Sequence, residues 1–209
     1  MSTEVLVVDP EDPQVPVLDR ALALLAAGGL LVYPTDTLYA LGGMALGPGV
    51  ALRVREMKGR PSGKPLPVIV GSLDQALSLA AAWPDAAQRL AERFWPGPLS
   101  LVVPARAGLP EALLAQGRSL AIRVPACLLA RRLAQGVGPL ISTSANRSGD
   151  PAPASCGAAL RSLGAGVELA LDGGPGRNLA STLIDLTELE PRLLRPGALS
   201  WEDVLATLS

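Results

Sequence analysis

The sequence predicts an α/β fold built on a mixed sheet, from three observations. Short apolar runs alternate with amphipathic stretches from one end of the chain to the other, the pattern of strands and helices packed in layers. Several connections between apolar runs are too brief to hold a crossover helix, so parallel and antiparallel pairs must both occur. The 209 residues, 49% hydrophobic and 18% charged, suffice for one domain with a real core, and residues 1–209 are expected to form that single domain.

The elements follow in order along the chain. A strand is read at Val5–Val8 and a helix at Val15–Ala27, where Gly28-Gly29 can close the helix in a left-handed cap. A strand at Leu30–Tyr33 precedes a helix at Val50–Met57 and a strand at Leu66–Val70. Ser72 with Gln75 forms a capping box opening the helix Leu73–Ala81, and a second helix spans Asp85–Phe94. Strands at Leu99–Val103 and Leu120–Val124 lead to a helix at Cys127–Gln135, a strand at Leu140–Thr143 and a helix at Ser155–Leu163. Strands at Val167–Leu171, Thr182–Leu186 and Arg192–Leu194 follow, and Ser200 caps a final helix at Trp201–Leu208 with Asp203 in its first turn. The 22 Gly and 20 Pro are interleaved with apolar runs, so they mark ordered turns rather than disorder.

Composition excludes much chemistry. There is no histidine, which removes Ser-His-Asp triads, Cys-His pairs, imidazole acid–base catalysis and His-ligated metals. Cys127 and Cys156 stand alone, in no metal or redox spacing, so reduced thiols are expected. The acidic N-terminus has no signal-peptide pattern, and the apolar runs are too short to span a bilayer, so a cytoplasmic protein with no membrane contact is expected. The net charge of -1 is an average. Arg53 to Lys64 holds five basic residues against Glu56 alone, while the rest of the chain is net acidic. Both lysines of the chain, Lys58 and Lys64, lie in that basic stretch.

Three segments can carry chemistry. Tyr33-Pro-Thr-Asp-Thr-Leu-Tyr39 breaks a buried strand into three short polar side chains, where α/β sheets place ligand contacts, although it also reads as an ordinary Ser/Thr turn. Lys58-Gly-Arg-Pro-Ser-Gly-Lys-Pro-Leu66 is punctuated by Gly and Pro, so Lys58, Arg60 and Lys64 are expected to project from a shaped loop suited to a polyphosphate. It is not a Walker A loop, because the spacing is one residue short and a strand follows instead of a helix. The same loop, Gly59 to Pro65, is a candidate lid. Ser142-Thr-Ser-Ala-Asn-Arg-Ser-Gly149 offers hydroxyls and an amide that can donate to phosphate or carboxylate oxygens, or can merely form turns. Arg123 and Arg195 each close a strand before a Pro, as ion-pair partners or as forks for an anion. Asp172-Gly-Gly-Pro-Gly176 reads as a tight turn more readily than as an anion nest.

Taken together, Tyr33-Pro-Thr-Asp-Thr-Leu-Tyr39, Lys58-x-Arg with Lys64-Pro-Leu, Trp95-Pro-Gly-Pro-Leu-Ser100, Ala121-Ile-Arg-Val-Pro125, Ser142-Thr-Ser-Ala-Asn146, Ser181-Thr and Leu194-Arg-Pro-Gly197 resemble the threonylcarbamoyl-AMP synthase family, the YrdC-like domain, in order and over nearly the whole chain. The resemblance implies a twisted open mixed sheet with helices around it and a large basic concavity. It implies an enzyme that joins L-threonine, bicarbonate or CO2 and ATP into L-threonylcarbamoyladenylate, releasing pyrophosphate, for a machinery that makes threonylcarbamoyladenosine in tRNA. Carried over residue by residue, Thr35, Arg123 and Ser181 contact threonine, and Lys58, Arg60, Lys64, Ser100, Ser142, Ser144, Asn146 and Arg195 surround ATP, with Lys58 and Arg60 as the catalytic pair. Ala40 departs from the Gly usual in the family, and Ile69 stands where some members place a threonine-contacting His. Longer members carry a second C-terminal domain, which is not expected here.

Such a reaction needs positioning and charge neutralisation more than a proton relay, which suits a chain without histidine. Mg2+ is expected to arrive on the ATP phosphates with few protein ligands. Lys58→Ala is expected to reduce turnover far more than stability, as a loop ammonium contributes little to a core. The rivals are a non-catalytic module binding double-stranded RNA or tRNA in the same hollow, and a paralogue with another small-molecule reaction. An acidic body with 3% aromatic residues offers RNA few stacking platforms.

Overall fold

The computed structural model describes residues 3–177 and 179–209. The chain runs β1 (Glu4–Val7), α1 (Val15–Ala26), β2 (Leu31–Tyr33), β3 (Ala40–Gly42), α2 (Val50–Lys58), β4 (Val68–Ile69), α3 (Leu73–Leu79), α4 (Asp85–Phe94), β5 (Leu99–Pro104) and α5 (Glu111–Leu114). It continues through β6 (Ser119–Arg123), α6 (Leu128–Val137), β7 (Leu140–Ile141), β8 (Thr143–Ser144), α7 (Cys156–Leu163), β9 (Leu169–Asp172), β10 (Thr182–Asp185), β11 (Arg192–Arg195) and α8 (Trp201–Leu208).

The strands form two mixed sheets, ordered β1-β9-β2-β3-β8 and β11-β10-β5-β6-β4-β7. The expected mixture of directions is present: β1, β9 and β2 pair parallel, as do β10 with β5 and β4 with β6, whereas β2–β3, β3–β8, β5–β6, β4–β7 and β10–β11 are antiparallel. Two elements escape the sequence pattern. β3 hides in the run after Tyr39, and the four-residue α5 is too short for a helical period to show.

The run read as one strand at Leu140–Thr143 divides between the sheets: β7 pairs with β4 in one and β8 with β3 in the other, with Ser142 between them. Gly42 makes this junction possible, because a Cβ there would meet the Ile141 carbonyl oxygen at 2.0 Å.

Caps form where the sequence placed them. Gly28 takes φ +80° beyond α1, and its N–H reaches Leu25 O at 2.9 Å. Ser72 Oγ accepts from Gln75 N, while the Gln75 side chain accepts from Gly71 N, one residue earlier than a strict capping box. Ser200 Oγ accepts from Asp203 N at 3.1 Å.

Apolar side chains fill both faces of the first sheet. Leu30, Val32 and Leu41 join β5, β6, α2, α4 and α7 in one cluster, and Leu31, Tyr33 and Leu169 pack with α1 and α6 in another. Burying β2 on both faces is why its sequence reads as a continuous apolar run. Among the described residues no helix is long and apolar enough to cross a membrane.

Candidate active site

A cavity of about 440 Å³ opens where the two sheets meet. One wall is a face of the second sheet. Asp185 is the register partner of Val102, which pairs with Ala121, and all three line the cavity. One repeat along, Ser100 pairs with Leu183, which faces Arg195, and Ile69 pairs with Arg123. The period-2 alternation of strands therefore aims polar residues of four strands into one space. The opposite wall comes from the turn after β2, with Thr35 and Thr37, and from Ser142, Thr143 and Ser144. Arg60 and Lys64 form the rim.

Most of the sequence-derived residues meet here: Thr35, Arg60, Lys64, Ser100, Arg123, Ser142, Ser144, Ser181 and Arg195 all line the cavity. Several are bonded to one another. Ser100 Oγ and Ser181 Oγ are 2.8 Å apart, and Arg195 Nη2 donates to Ser181 Oγ at 3.0 Å and to Ser181 O at 2.9 Å. Thr35 Oγ1 donates to Leu38 O and accepts from the N–H groups of Thr37 and Leu38, so it also makes the Ser/Thr turn that the sequence allowed.

Arg123, 5% exposed, donates from Nη2 to Asp36 Oδ1 at 2.6 Å and from Nη1 to Thr37 Oγ1 at 2.9 Å. Burial lowers its pKa, and the Asp36 charge opposes that shift. Among the described residues, Lys64 has no salt bridge and is exposed at the rim.

Lys58 is placed differently from the expectation. It does not project from the loop; it is the last residue of α2, 2% exposed, with Gly59 in the left-handed region behind it. Its Nζ donates to the carbonyl oxygens of Ser144 and Asn146, and its own carbonyl accepts from Ser148 N at 2.8 Å. Lys58 thus braces the Ser142–Ser148 segment from behind instead of lining the cavity. Burial pushes its pKa down to about 8, helped by the Arg60 charge and opposed by Asp150. The premise that Lys58 is a loop ammonium contributing little to the core is corrected accordingly, since a buried donor to two carbonyls is part of the packed structure.

Asn146 also lies behind the wall, its Nδ2 donating to Arg147 O and Asp150 O. Those two acceptors fix the amide orientation and leave Oδ1 buried without a partner among the described residues.

The loop from Gly59 to Pro65 is fastened by arginines. Arg55 donates to Pro61 O and Lys64 O, and Arg60 donates to Lys64 O and Pro65 O. The Asp172–Gly176 segment is a turn: Gly174 N donates to Asp172 Oδ1, and Tyr39 OH donates to Gly174 O at 2.6 Å.

Asp185, a wall residue the sequence reading passed over, accepts from Thr187 and from Arg192 Nη2. Burial raises its pKa, but these hydrogen bonds outweigh burial and bring it below its ordinary value. The available signal was the strand period, which puts Asp185 on the same face as Leu183, opposite Thr182 and Ile184. Ser119 also lines the cavity, and nothing local distinguishes it from other serines. Cys127 and Cys156 are buried and unpaired, and burial lifts both thiols to about 11, which favours the protonated form.

The sequence model of the Sua5/YciO/YrdC family, which carries the description telomere recombination, matches residues 23–197. The chain is 39% identical over 186 residues to the threonylcarbamoyl-AMP synthase of Pyrococcus abyssi (strain GE5 / Orsay), covering 88% of this chain and 55% of that protein. It is 34% identical over 171 residues to the threonylcarbamoyl-AMP synthase of Xanthomonas campestris pv. campestris (strain B100), covering 78% of this chain and 89% of that one. The crystal structure of P. abyssi Sua5 complexed with L-threonine superposes with a TM-score of 0.94 at 36% identity, over 99% of this chain and 61% of that chain. The chain therefore spans little more than half of the archaeal relative and most of the Xanthomonas one. With a family match over most of its length and this degree of likeness in sequence and fold, the chain belongs to the Sua5/YciO/YrdC family.

Proposed function

We propose that this chain is an L-threonylcarbamoyladenylate synthase, which condenses L-threonine, bicarbonate or CO2 and ATP to threonylcarbamoyl-AMP and pyrophosphate. The observation that carries the reading is one cavity that joins Arg60, Lys64 and Arg195 with the hydroxyls of Ser100, Ser142, Ser144 and Ser181 and with the Arg123 guanidinium. Cations and neutral donors facing one space suit a triphosphate and an amino-acid carboxylate together. The names of the relatives point the same way.

The chemistry runs in two steps. The neutral amine of threonine attacks bicarbonate or CO2 to form a carbamate, with water leaving in the bicarbonate case and a proton released to solvent in the CO2 case. A carbamate oxygen then attacks the α-phosphorus of ATP, and pyrophosphate departs. In this reading Thr35, Arg123 and Ser181 hold threonine. Arg60, Lys64, Arg195, Ser100, Ser142 and Ser144 hold the nucleotide, and Lys58 and Asn146 shape the wall that carries those serines. The fixed cations stabilise negative charge on the α-phosphate and on the leaving group without reorganising during the step.

Magnesium enters with ATP as part of the substrate. Among the described residues no three His, Cys, Asp or Glu side chains cluster to hold a metal, and phosphate oxygens and water supply its ligands in this reading. The adenylate passes to a machinery that modifies tRNA, and a cytoplasmic setting supplies both ATP and tRNA.

Pyrophosphate release from ATP, followed with L-threonine and bicarbonate added singly and together, tests the proposal. Release that needs both supports it; release indifferent to both removes it. Salt-sensitive binding of double-stranded RNA or tRNA without turnover favours the RNA-binding module instead.

A further inference from the structure

The guanidinium of Arg123 is held along one edge. Nη1 donates to Thr37 Oγ1 at 2.9 Å and Nη2 to Asp36 Oδ1 at 2.6 Å. Thr37 and Asp36 are neighbours in sequence, so the two terminal nitrogens together grip a single turn. Arginine and aspartate side chains are 6% and 9% exposed, which makes this a buried pair rather than a surface contact. Nε is left out: it is buried and has no hydrogen-bond partner among the described residues. An unmatched buried N–H is uncommon in a folded protein.

A guanidinium receives a carboxylate through a pair of its N–H groups, so its orientation decides the fit. In Arg123 Nε is closed off from solvent, and what the residue offers the cavity it lines is a guanidinium fixed in place by the two bonds at Nη1 and Nη2.

We infer that Asp36 is a positioning residue for the amino-acid substrate: by holding Nη2, with Thr37 on Nη1, it fixes the Arg123 guanidinium in the cavity wall in the orientation that meets the substrate carboxylate. The inference rests on the proposed function, in which Arg123 meets threonine, and adds which residue orients it. Asp36 also offsets the Arg123 charge, so the buried cation is balanced before substrate arrives. The side chain orients another residue without touching the reacting atoms.

The test is calorimetric titration of L-threonine and, separately, of ATP into the full chain and its Asp36→Ala and Asp36→Asn variants, paired with steady-state pyrophosphate release. Asp36→Ala is expected to raise the threonine Kd and KM roughly tenfold or more, the effect of one charge-assisted hydrogen bond. The ATP Kd should stay within about twofold, and kcat at saturating threonine should fall less than KM rises. Asp36→Asn keeps an acceptor oxygen for Nη2 and should recover most of the loss.

Unchanged threonine affinity in a folded Asp36→Ala protein overturns the inference, as does an equal loss of threonine and ATP affinity, which marks general loosening. Tighter threonine binding also overturns it, because Asp36 would then be a competitor for the fork. If the alanine variant does not fold, Asp36→Asn decides alone: a threonine Kd raised about threefold with ATP unaffected supports the inference, and an unchanged Kd refutes it. Wild-type chain that binds ATP but no threonine refutes the functional reading itself, whereas wild-type binding with an indifferent Asp36→Ala refutes only the role of Asp36.

Discussion

The ammonium of Lys58, at the end of α2, donates to the backbone carbonyl of Asn146, a residue 88 positions further along the chain. A second bond to Ser144 O and the Ser148 N–H on the Lys58 carbonyl complete a clamp between the helix and the serine-rich wall of the cavity. Lys58→Met removes the donor, taking the lysine partner from the Asn146 carbonyl, while Ser144 O keeps the Asn146 N–H at 2.9 Å. A loss of about 2 kcal/mol is expected, with Tm lower by roughly 4–8 °C. Activity should fall as well, because Ser142 and Ser144 lose their support. Thermal melting and pyrophosphate release check both, and a variant melting within about 1 °C of wild type with full turnover removes the bracing role.

The same lysine predicts a pH dependence. Its pKa in the folded chain lies at about 8, against 10.5 for an ordinary lysine. Between those values the unfolded chain carries the proton and the folded chain has released it, so unfolding takes up a proton and stability rises with pH. The neutral amine still has two N–H donors for its two carbonyl partners. The stability difference between wild type and Lys58→Met should therefore widen from about pH 8 to about pH 10.5, by at most about 3 kcal/mol. Urea unfolding of the two proteins across that range measures it, and a difference that narrows contradicts the inward, desolvated placement.

Arg195 holds Ser181 through both the hydroxyl and the carbonyl, and Ser181 in turn meets Ser100. Arg195→Ala removes a cation and the fork that orients these hydroxyls, and a fall in kcat/KM of about 100-fold is expected. Arg195→Lys should restore only part of it, since an ammonium cannot reproduce the fork. Steady-state kinetics decide, and full rescue by lysine indicates that charge alone matters.

Gly42 sits against β7 at the junction of the two sheets, where an added Cβ would lie 2.0 Å from the Ile141 carbonyl oxygen. Because that neighbour is backbone, relief requires β3 and β7 to separate. Gly42→Ala is expected to cost about 1–3 kcal/mol and to lower activity by shifting Ser142 and Ser144. Denaturant unfolding together with turnover tests the coupling, and a neutral substitution shows that the junction is pliable.

Much of this was legible in the residues themselves. The helix Asp85–Phe94 and the Ser200-capped helix Trp201–Leu208 fall where apolar spacing and capping placed them. Thr35, Arg123, Ser142, Ser181 and Arg195, scattered through the sequence, line one cavity. Other features were not legible. Ala40–Gly42 has no alternation to mark it as a strand, because both its faces are buried. Asp36 stood in view within its motif, but its grip on Arg123 depends on β2 and β6 lying on facing walls.

Local propensity, capping and the order of motifs, all carried by residues near one another in the chain, determined the elements, the family resemblance and the kinds of chemistry open to a protein without histidine. Tertiary structure alone decided that the apolar run at Leu140–Thr143 serves two sheets, that Lys58 turns inward to the carbonyls of Ser144 and Asn146, and that Arg123 is gripped by Asp36 and Thr37. The physical reason is that these outcomes depend on partners distant in sequence. Whether a charge is buried or exposed, and which hydrogen-bond donors remain unmatched, is set only when those partners are packed together.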